Sequence, residues 1–390
     1  MYDTLRSRVK HGVRQINQPE LPFNVQRDGL QHHEQCSLLE ASAERLGPPM
    51  ATLELNRADV PVKPRKPTYR QDWPAYNRAQ TNEKAEFQSL LFDLCHSIQE
   101  PLQTIGRPRV ALAELIFCVV LKVYCAMSGR RTMWELRQAK DSGYISKAIH
   151  YNTLSKYLQR EDLAPYLTQL IQLSALPLNI VERNFAADSS GFSTGTTQKW
   201  GQVKWDNARI RYGEKQPNTV KKKDWVKLHI MCGVTTNVVA AAIVTHAHGG
   251  DHAQFKPLVE ATSENFVIDS VAADKAYSSY RNLQLVVSKA GMPYIAFKEN
   301  ANPSKTSPSV WKRMYRLYDD NREDFLRHYH LRSNVETTFS MIKAKFGERV
   351  RSKTWPAQAN EVLSKVLAHN LCCLIQSMFE LGIDPRGGLT

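Results

Sequence analysis

The chain has 390 residues, 42% of them hydrophobic, and this length predicts two or three globular units with cores of their own. Its 52 Lys and Arg outnumber its 38 Asp and Glu and give a net charge of +14, which suits a polyanionic partner. Seven cysteines without a CxxC pair favour reduced thiols over a disulfide framework or a zinc finger.

The hydrophobic segments argue against a membrane or secreted protein. The longest apolar run, 110–127, carries Glu114 and Lys122 and falls short of the ~20 uninterrupted residues of a membrane span, so a buried helix is predicted there. The N-terminus has no apolar segment typical of a secretory signal. We therefore expect a cytoplasmic, nucleoid-associated protein with no membrane contact.

The first 180 residues divide into two predicted segments. Residues 1–65 show little periodicity and end in basic, proline-rich sequence, which predicts a flexible basic N-terminal arm. Residues 66–180 follow helical periodicity and predict a small all-α domain. Its helices carry basic and aromatic residues such as Arg130, Arg131 and Trp134. This composition is typical both of a DNA-binding helix-turn-helix and of ordinary amphipathic helices.

Beyond residue 180 the periodicity changes to that of strands separated by turns. Three strands are predicted within 183–249, followed by a helix, a strand, a helix, a strand and a late helix. This order is that of a ribonuclease-H-like sheet. The predicted fold class is therefore α/β, with a mixed sheet flanked by helices in a catalytic domain at 181–375, preceded by the all-α domain. Residues 376–390 are predicted to be a C-terminal tail.

Two aspartates stand at the ends of predicted strands. Asp188 and Asp274 each follow two alanines, so each carboxylate is expected to leave the sheet at a strand end. Two-metal phosphoryl transfer needs a few carboxylates around two cations about 3.5–4 Å apart, and Asp188, Asp274 and Glu336 would suffice as catalytic metal ligands. Mg²⁺ prefers such oxygen ligands, and Mn²⁺ is the expected substitute.

Four polar side chains, Tyr329, Arg332, Glu336 and Lys343, recur at regular intervals. On a continuous α-helix, which turns about 100° per residue, they lie within roughly 60° of one line. A hydroxyl, a guanidinium and an ammonium beside Glu336 would form a clamp for a phosphate backbone. The alternative is a solvated helix face with a local Arg332–Glu336 ion pair.

The Y-x2-R-x3-E-x6-K pattern of these four residues, with "DSSGF" and "DKAYSS" upstream, resembles the DDE transposases of bacterial and archaeal insertion sequences. The resemblance covers roughly residues 70–375. It implies a ribonuclease-H-like catalytic domain with Asp188, Asp274 and Glu336 as metal ligands.

The resemblance also carries expectations about partners and chemistry. It implies that Tyr329, Arg332 and Lys343 contact the DNA at the ends of the element. It further implies cleavage at the 3′ ends of the element and their joining to target DNA, by a homodimer or higher multimer on double-stranded DNA. Two other functions stay open: a nuclease of the same fold that cuts without joining, and a catalytically inactive DNA-binding remnant.

A basic stretch between the first two predicted strands, 199–227, interleaves Lys and Arg with aromatic residues. Cations neutralise phosphates and aromatic rings stack on exposed bases, so this stretch, which includes Lys221, Lys222 and Lys223, is a candidate DNA-binding segment. The alternative is a solvated basic hairpin.

A further motif, "THAHGGDH", places His246, His248, Asp251 and His252 close together in sequence. It is similar to the H-x-H-x-D-H zinc cluster of metallo-β-lactamase-like hydrolases. One extra residue shifts the aspartate and the last histidine out of register, which disfavours a zinc hydrolase.

Overall fold

Helices occupy the first part of the described chain. The computed structural model describes residues 72–386 apart from 103–104, 107–108, 195–224, 299–300, 302 and 304–306. The predicted N-terminal arm and Lys221, Lys222 and Lys223 lie outside the described residues. The first five helices are α1 (Trp73–His96), α2 (Leu112–Tyr124), α3 (Gly129–Asp141), α4 (Tyr151–Leu158) and α5 (Leu163–Ala175).

Helix α2 is the apolar run that the sequence predicted as a buried helix. Its side chains from Leu115 to Leu121 are all buried. The carboxylate of Glu114 faces outward and accepts hydrogen bonds from the Ser146 amide at 2.8 Å and the Ser146 hydroxyl at 2.9 Å. The predicted buried helix is confirmed.

Five strands form one mixed sheet in the order β3-β2-β1-β4-β5. They are β1 (Asn184–Ser193), β2 (Trp225–Gly233), β3 (Val239–His246), β4 (Ser270–Ala273) and β5 (Met292–Ile295). Strands β1, β2 and β3 pair antiparallel, whereas β4 pairs in parallel with both β1 and β5. The predicted α/β class is confirmed. The separation of residues 66–180 as a domain of its own stays a prediction.

The parallel pair at the centre of the sheet is built from small apolar residues. Ala186 and Ala187 of β1 lie opposite Ala272 and Ala273 of β4, and all four are buried. Strands that are covered on both faces read as continuous apolar runs, which explains why this pair lacks polar alternation. The pairing ends at Ala187 and Ala273, immediately before the two candidate aspartates.

The remaining helices pack around this sheet and complete the hydrophobic core. They are α6 (Asp251–Asn265), α7 (Tyr280–Ser288), α8 (Ser309–Asp320), α9 (Arg322–Tyr329), α10 (Ser333–Phe346) and α11 (Trp355–Leu381). Helix α11 packs against α1, α2, α5 and β3. It continues beyond residue 375, so the first residues of the predicted C-terminal tail are helical.

Helix α11 is also, within the described residues, the one helix long and apolar enough to cross a membrane. Its apolar window is 78% buried inside the fold. A core helix meets the same criterion of length and composition, and burial on this scale is what a core helix requires.

A polar side chain of α11 completes the hydrogen bonding at the edge strand β3. The side-chain oxygen of Asn370 accepts from the Val239 amide at 2.8 Å, and its nitrogen donates to the Val239 carbonyl at 2.8 Å. The same nitrogen donates to the Ile171 carbonyl and the Ser174 hydroxyl at the end of α5. Asn370 therefore joins the sheet, α5 and α11 at one fully buried point.

We expect Asn370→Ala to lower the free energy of unfolding by about 2–4 kcal/mol, because it leaves the buried Val239 amide and carbonyl without partners. Urea denaturation measures the change. Gln376→Ala is the matched control on the same helix, since Gln376 bonds only the Glu380 side chain and its loss is expected to cost about 0.5 kcal/mol or less. Equal losses in both variants would contradict the assignment.

Candidate active site

The two candidate aspartates lie side by side at the end of the central parallel pair. Asp188 follows Ala187 and Asp274 follows Ala273, and these alanines are register partners. Neighbouring strands are about 4.8 Å apart, and residues at matching register positions point to the same face. The fold therefore places both carboxylates at one position of the sheet. Asp274 follows the end of β4 as predicted, but the predicted strand end at Asp188 was wrong, because β1 stays paired with β2 as far as Ser193.

Each aspartate is held by the backbone amide that follows it. Asp188 accepts from the Ser189 amide at 2.8 Å, and Asp274 accepts from the Lys275 amide at 2.7 Å while it caps the 3-10 turn Lys275–Tyr277. Burial raises the pKa of Asp188, and the charges of Asp274 and Asp251 raise it further against the Ser189 amide and Arg332. The fold thus concentrates negative charge where water is scarce.

The four-residue stripe does not lie on one α-helix, and that prediction was wrong. Tyr329 ends α9, a 3-10 turn spans His330–Arg332, and α10 begins at Ser333. A 3-10 turn advances about 120° per residue instead of 100°, so the helical spacing is interrupted between Tyr329 and Glu336. The side chains nevertheless turn toward the sheet, because the apolar side of α10, with Val335 and Ile342 fully buried, packs against it.

Arg332 joins the third candidate carboxylate to the first. Its Nη1 lies 3.3 Å from Asp188 Oδ2, and its Nη2 donates to Glu336 Oε1 at 2.8 Å. Burial disfavours the charged guanidinium, but Glu336 and Asp188 outweigh that effect and raise the pKa of Arg332. The predicted Arg332–Glu336 pair is therefore present, and it extends to Asp188 across 144 residues of sequence.

The other two members of the stripe lie on either side of Arg332. The Tyr329 hydroxyl has a pKa raised by burial and by Asp274, against the neighbouring Arg332. Lys343 donates to the Ser190 hydroxyl at 2.9 Å and lies 5.3 Å from the centre of the Phe192 ring. All four side chains of the stripe therefore lie along β1 and the end of β4, beside the two aspartates.

A second charged cluster, centred on Asp251, supports the segment after Asp188. Asp251 Oδ1 accepts from Ser189 Oγ at 2.6 Å and lies 2.7 Å from Lys227 Nζ and 3.3 Å from His229 Nδ1. Burial alone would raise the pKa of this carboxyl, but hydrogen bonds from His229, Lys227 and Ser189 lower it below its usual range. The hydroxyl of Tyr277 is buried nearby. Its burial and the charges of Asp188, Asp251 and Asp274 raise its pKa.

The Asp251 cluster was missed by reasoning from the sequence. Its signal was the alternation of Lys227 and His229 on one face of an otherwise buried strand, since a buried lysine requires a partner. The partner itself begins a helix in a distant part of the sequence, and only the fold brings the two together.

The histidines of the zinc-like motif have separate contacts. His246 stacks on Trp355 with ring centres 3.5 Å apart, His248 lies near Trp225, and His252 contacts the Ser279 hydroxyl. Within the described ranges, no group of three or more His, Cys, Asp or Glu side chains is placed to hold a metal ion. Since Glu336 is turned toward Arg332, its role as a metal ligand with Asp188 and Asp274 stays a prediction.

A mixed five-stranded sheet with two aspartates directly after its central parallel pairing defines the ribonuclease-H-like class. Residues 181–371 match the family model described as the transposase DDE domain, and this part of the chain belongs to the DDE transposase family. A comparison with curated proteins finds no match. The family predicted from the sequence is confirmed, and the matched residues include every side chain of the candidate site described above.

We expect Asp251→Asn to lower the free energy of unfolding at pH 7 by about 3 kcal/mol, because the Lys227 ammonium, whose side chain is 11% exposed, loses its carboxylate. A lowered folded-state pKa gives stability that is complete above the unfolded pKa of about 3.9 and is lost as the pH falls below it. The difference between wild type and variant is therefore expected to shrink at pH 3.

Denaturant titrations at pH 7 and pH 3 measure both effects. Asp269→Asn is the matched control. Within the part of the chain that the structure describes, the Asp269 side chain forms only a 3.8 Å pair with Arg183, and both side chains are more than half exposed. A wild-type advantage over Asp251→Asn that is equal at the two pH values would exclude the ionised carboxylate as its source.

Proposed function

We propose that the chain is a metal-dependent DNA transposase that binds the ends of an insertion sequence, cleaves them, and joins the 3′ ends to target DNA. The family supports a transposase that acts on DNA. One observation carries the finer proposal: Asp188 and Asp274 directly follow the last matched positions of a parallel pair, and Arg332 links Glu336 to the first of them.

The donor set fits a divalent cation of the Mg²⁺ kind. Such ions prefer carboxylate oxygens and retain several waters, and DDE transposases generally use divalent metals. Asp188 and Asp274 would hold the ions. Glu336, whose side chain is 59% exposed, would join them after its bond to Arg332 opens. Bound divalent cations would activate the attacking oxygen and stabilise the leaving oxygen.

The remaining side chains of the stripe supply positive charge and a hydroxyl around the scissile phosphate. The guanidinium of Arg332 offers paired N–H donors that match phosphate oxygens as well as carboxylates. Lys343, held against Ser190, contributes a point charge farther along β1. The pKa of Tyr329 is raised, so its hydroxyl stays protonated and would donate a hydrogen bond to a phosphate oxygen. In this proposal they orient DNA while the three carboxylates serve the chemistry.

The proposal implies double-stranded DNA at the element ends and at the target as partners. It also implies a homodimer or higher multimer that holds two ends together, and action on chromosomal DNA in the cytoplasm. The excess of basic over acidic residues supports association with DNA through its phosphates.

We expect Asp188→Asn, Asp274→Asn and Glu336→Gln each to slow Mg²⁺-dependent cleavage by about 1000-fold or more, equivalent to about 4 kcal/mol of transition-state stabilisation. Binding to the end of the element is expected to persist. Cleavage and strand transfer are measured on intact and pre-nicked DNA that carries the inverted repeats flanking the gene.

Glu264→Gln, an exposed carboxylate at the end of α6, is the control and should retain the wild-type rates. Near wild-type cleavage by any of the three variants would remove that residue from the site. Cleavage without joining would identify a nuclease, and binding without cleavage by the wild-type chain with Mg²⁺ or Mn²⁺ would identify an inactive remnant.

We expect Arg332→Ala to weaken binding to element ends and to slow cleavage, each by about 10- to 100-fold, since charge-assisted hydrogen bonds contribute about 1.5–3 kcal/mol. Arg332→Lys keeps the charge but loses the paired donors, so it should recover only part of either. Arg327→Ala is the control, because Arg327 is 72% exposed and, among the described residues, pairs only with Asp324. Normal cleavage and joining by Arg332→Ala would support the solvated-face interpretation.

A further inference from the structure

A large cavity lies apart from the paired aspartates, between the helices and the segment that follows α10. Its volume is about 980 Å³. It is lined by the start of α3, by one side of α4, and by residues 351–354 with the first turn of α11. Residues from both halves of the described chain therefore form it.

The cavity is strongly basic. Lys122, Arg130, Arg131, Arg351 and Lys353 line it, and no Asp or Glu belongs to its lining among the described residues. In that part of the chain none of these five side chains forms an ion pair. Like charges gathered in a concave surface repel one another and focus a positive potential, so the cavity suits an anion.

The contacts of the basic side chains keep their charges available. Arg351 donates to the Ala126 carbonyl at 2.8 Å, and Arg130 lies 5.7 Å from the centre of the Tyr151 ring. Burial lowers the pKa of Lys122, and Glu361 opposes this effect. The oxygens of Glu361 accept from the Arg351 and Ser352 amides and from the Ser352 hydroxyl, and Glu361 does not belong to the cavity lining.

Two helix starts add donors to the same wall. Helix α3 follows Ser128 and α11 follows Thr354, and neither side chain forms a capping hydrogen bond. The first amides of a helix lack partners within it, and the helix dipole places partial positive charge there. These amides strengthen a site that the five basic side chains already define.

Strand β1 connects this cavity with the candidate active site. The Ser193 amide donates to the Glu348 carbonyl at 3.3 Å, and the Val350 amide donates to the Ser193 carbonyl at 2.9 Å. Arg351, the next residue, therefore follows directly on the contact with the last residue of β1. A strand rises about 3.3 Å per residue, which places Ser193 on the order of 17 Å from Asp188. Lys343 lies between them, on Ser190.

At about 3.4 Å per base pair, the end of β1 lies roughly five base pairs from Asp188. The cavity-lining Arg351 directly follows Val350, which is bonded to that end of the strand. We propose that the basic cavity binds backbone phosphates of the same double-stranded DNA whose scissile phosphate lies at the paired aspartates. The inference rests on the proposed function and adds a second, sequence-independent anchor to it.

The test compares two pairs of substitutions in the full-length chain. Arg130→Gln with Arg131→Gln removes two charges from the cavity, and Arg183→Gln with Lys289→Gln removes two exposed charges at the sheet end opposite the aspartates. Affinity is measured from low to high salt on duplexes that extend about three or about twelve base pairs inward from the cleavage point, lengths that fall short of or pass the cavity at about 3.4 Å per base pair.

We expect the cavity variant to bind the long duplex about 10- to 100-fold more weakly at ~0.15 M salt, with a salt slope lower by about 1.8, the value for two phosphate contacts. On the short duplex it should match the wild type. Equal affinity and slope for the cavity and control variants on the long duplex would overturn the inference.

Two further measurements distinguish a site for DNA phosphates from a site for a free anion, and a binding defect from a folding defect. Inorganic phosphate and ATP are titrated as competitors; competition at the cavity without any effect of the variant on DNA binding would identify a site for a free anion and overturn the inference. Thermal unfolding confirms that each variant folds. Absence of cleavage by the wild type would count against the proposed function, whereas the length-dependent loss of binding is scored separately.

Discussion

The parallel pairing of β1 with β4 is the constraint on which the candidate site depends. Because the two strands end their pairing at matching residues, Ala187 and Ala273, the next residue of each presents a carboxylate on the same face. The small side chains of this pair let the surrounding helices approach closely and exclude water. A shift of one residue in this register would move one aspartate to the opposite face, and no helix could restore the pair.

Charge balance at this position is decided by neighbours on other elements. Burial and the mutual repulsion of Asp188, Asp274 and Asp251 raise the pKa of Asp188, whereas Asp251 sits among Lys227, His229 and Ser189 and keeps a lowered pKa. The pKa values of these two neighbouring carboxyls are thus shifted in opposite directions. Asp251 is suited to a fixed structural role, whereas the cation-binding role of Asp188 belongs to the proposed function.

The sequence predicted the helices and strands better than the side-chain contacts between them. The Ala-Ala-Asp segments predicted two buried strands, because burial on both faces requires an unbroken apolar run. Only β4 ends before its aspartate; β1 continues through Asp188 to Ser193, because β2 still pairs with it there. The 3-10 turn before α10 was not predicted, since a change of one hydrogen bond per turn leaves no clear mark in side-chain periodicity. The contacts of Arg332 with Asp188 and of Lys227 with Asp251 depend on the tertiary fold, which the local pattern does not encode.

The position of Arg332 also has a consequence for the folding of the protein. Its guanidinium is covalently part of the chain and meets both Asp188 and Glu336, so the acidic side chains receive a counter-charge as soon as the strands and α10 assemble. Small domains that borrow this charge from a metal remain unfolded until the metal arrives. Here the counter-charge belongs to the chain itself, so folding is expected not to require a cation. Under the proposed function, the divalent ion would then serve only the cleavage of DNA.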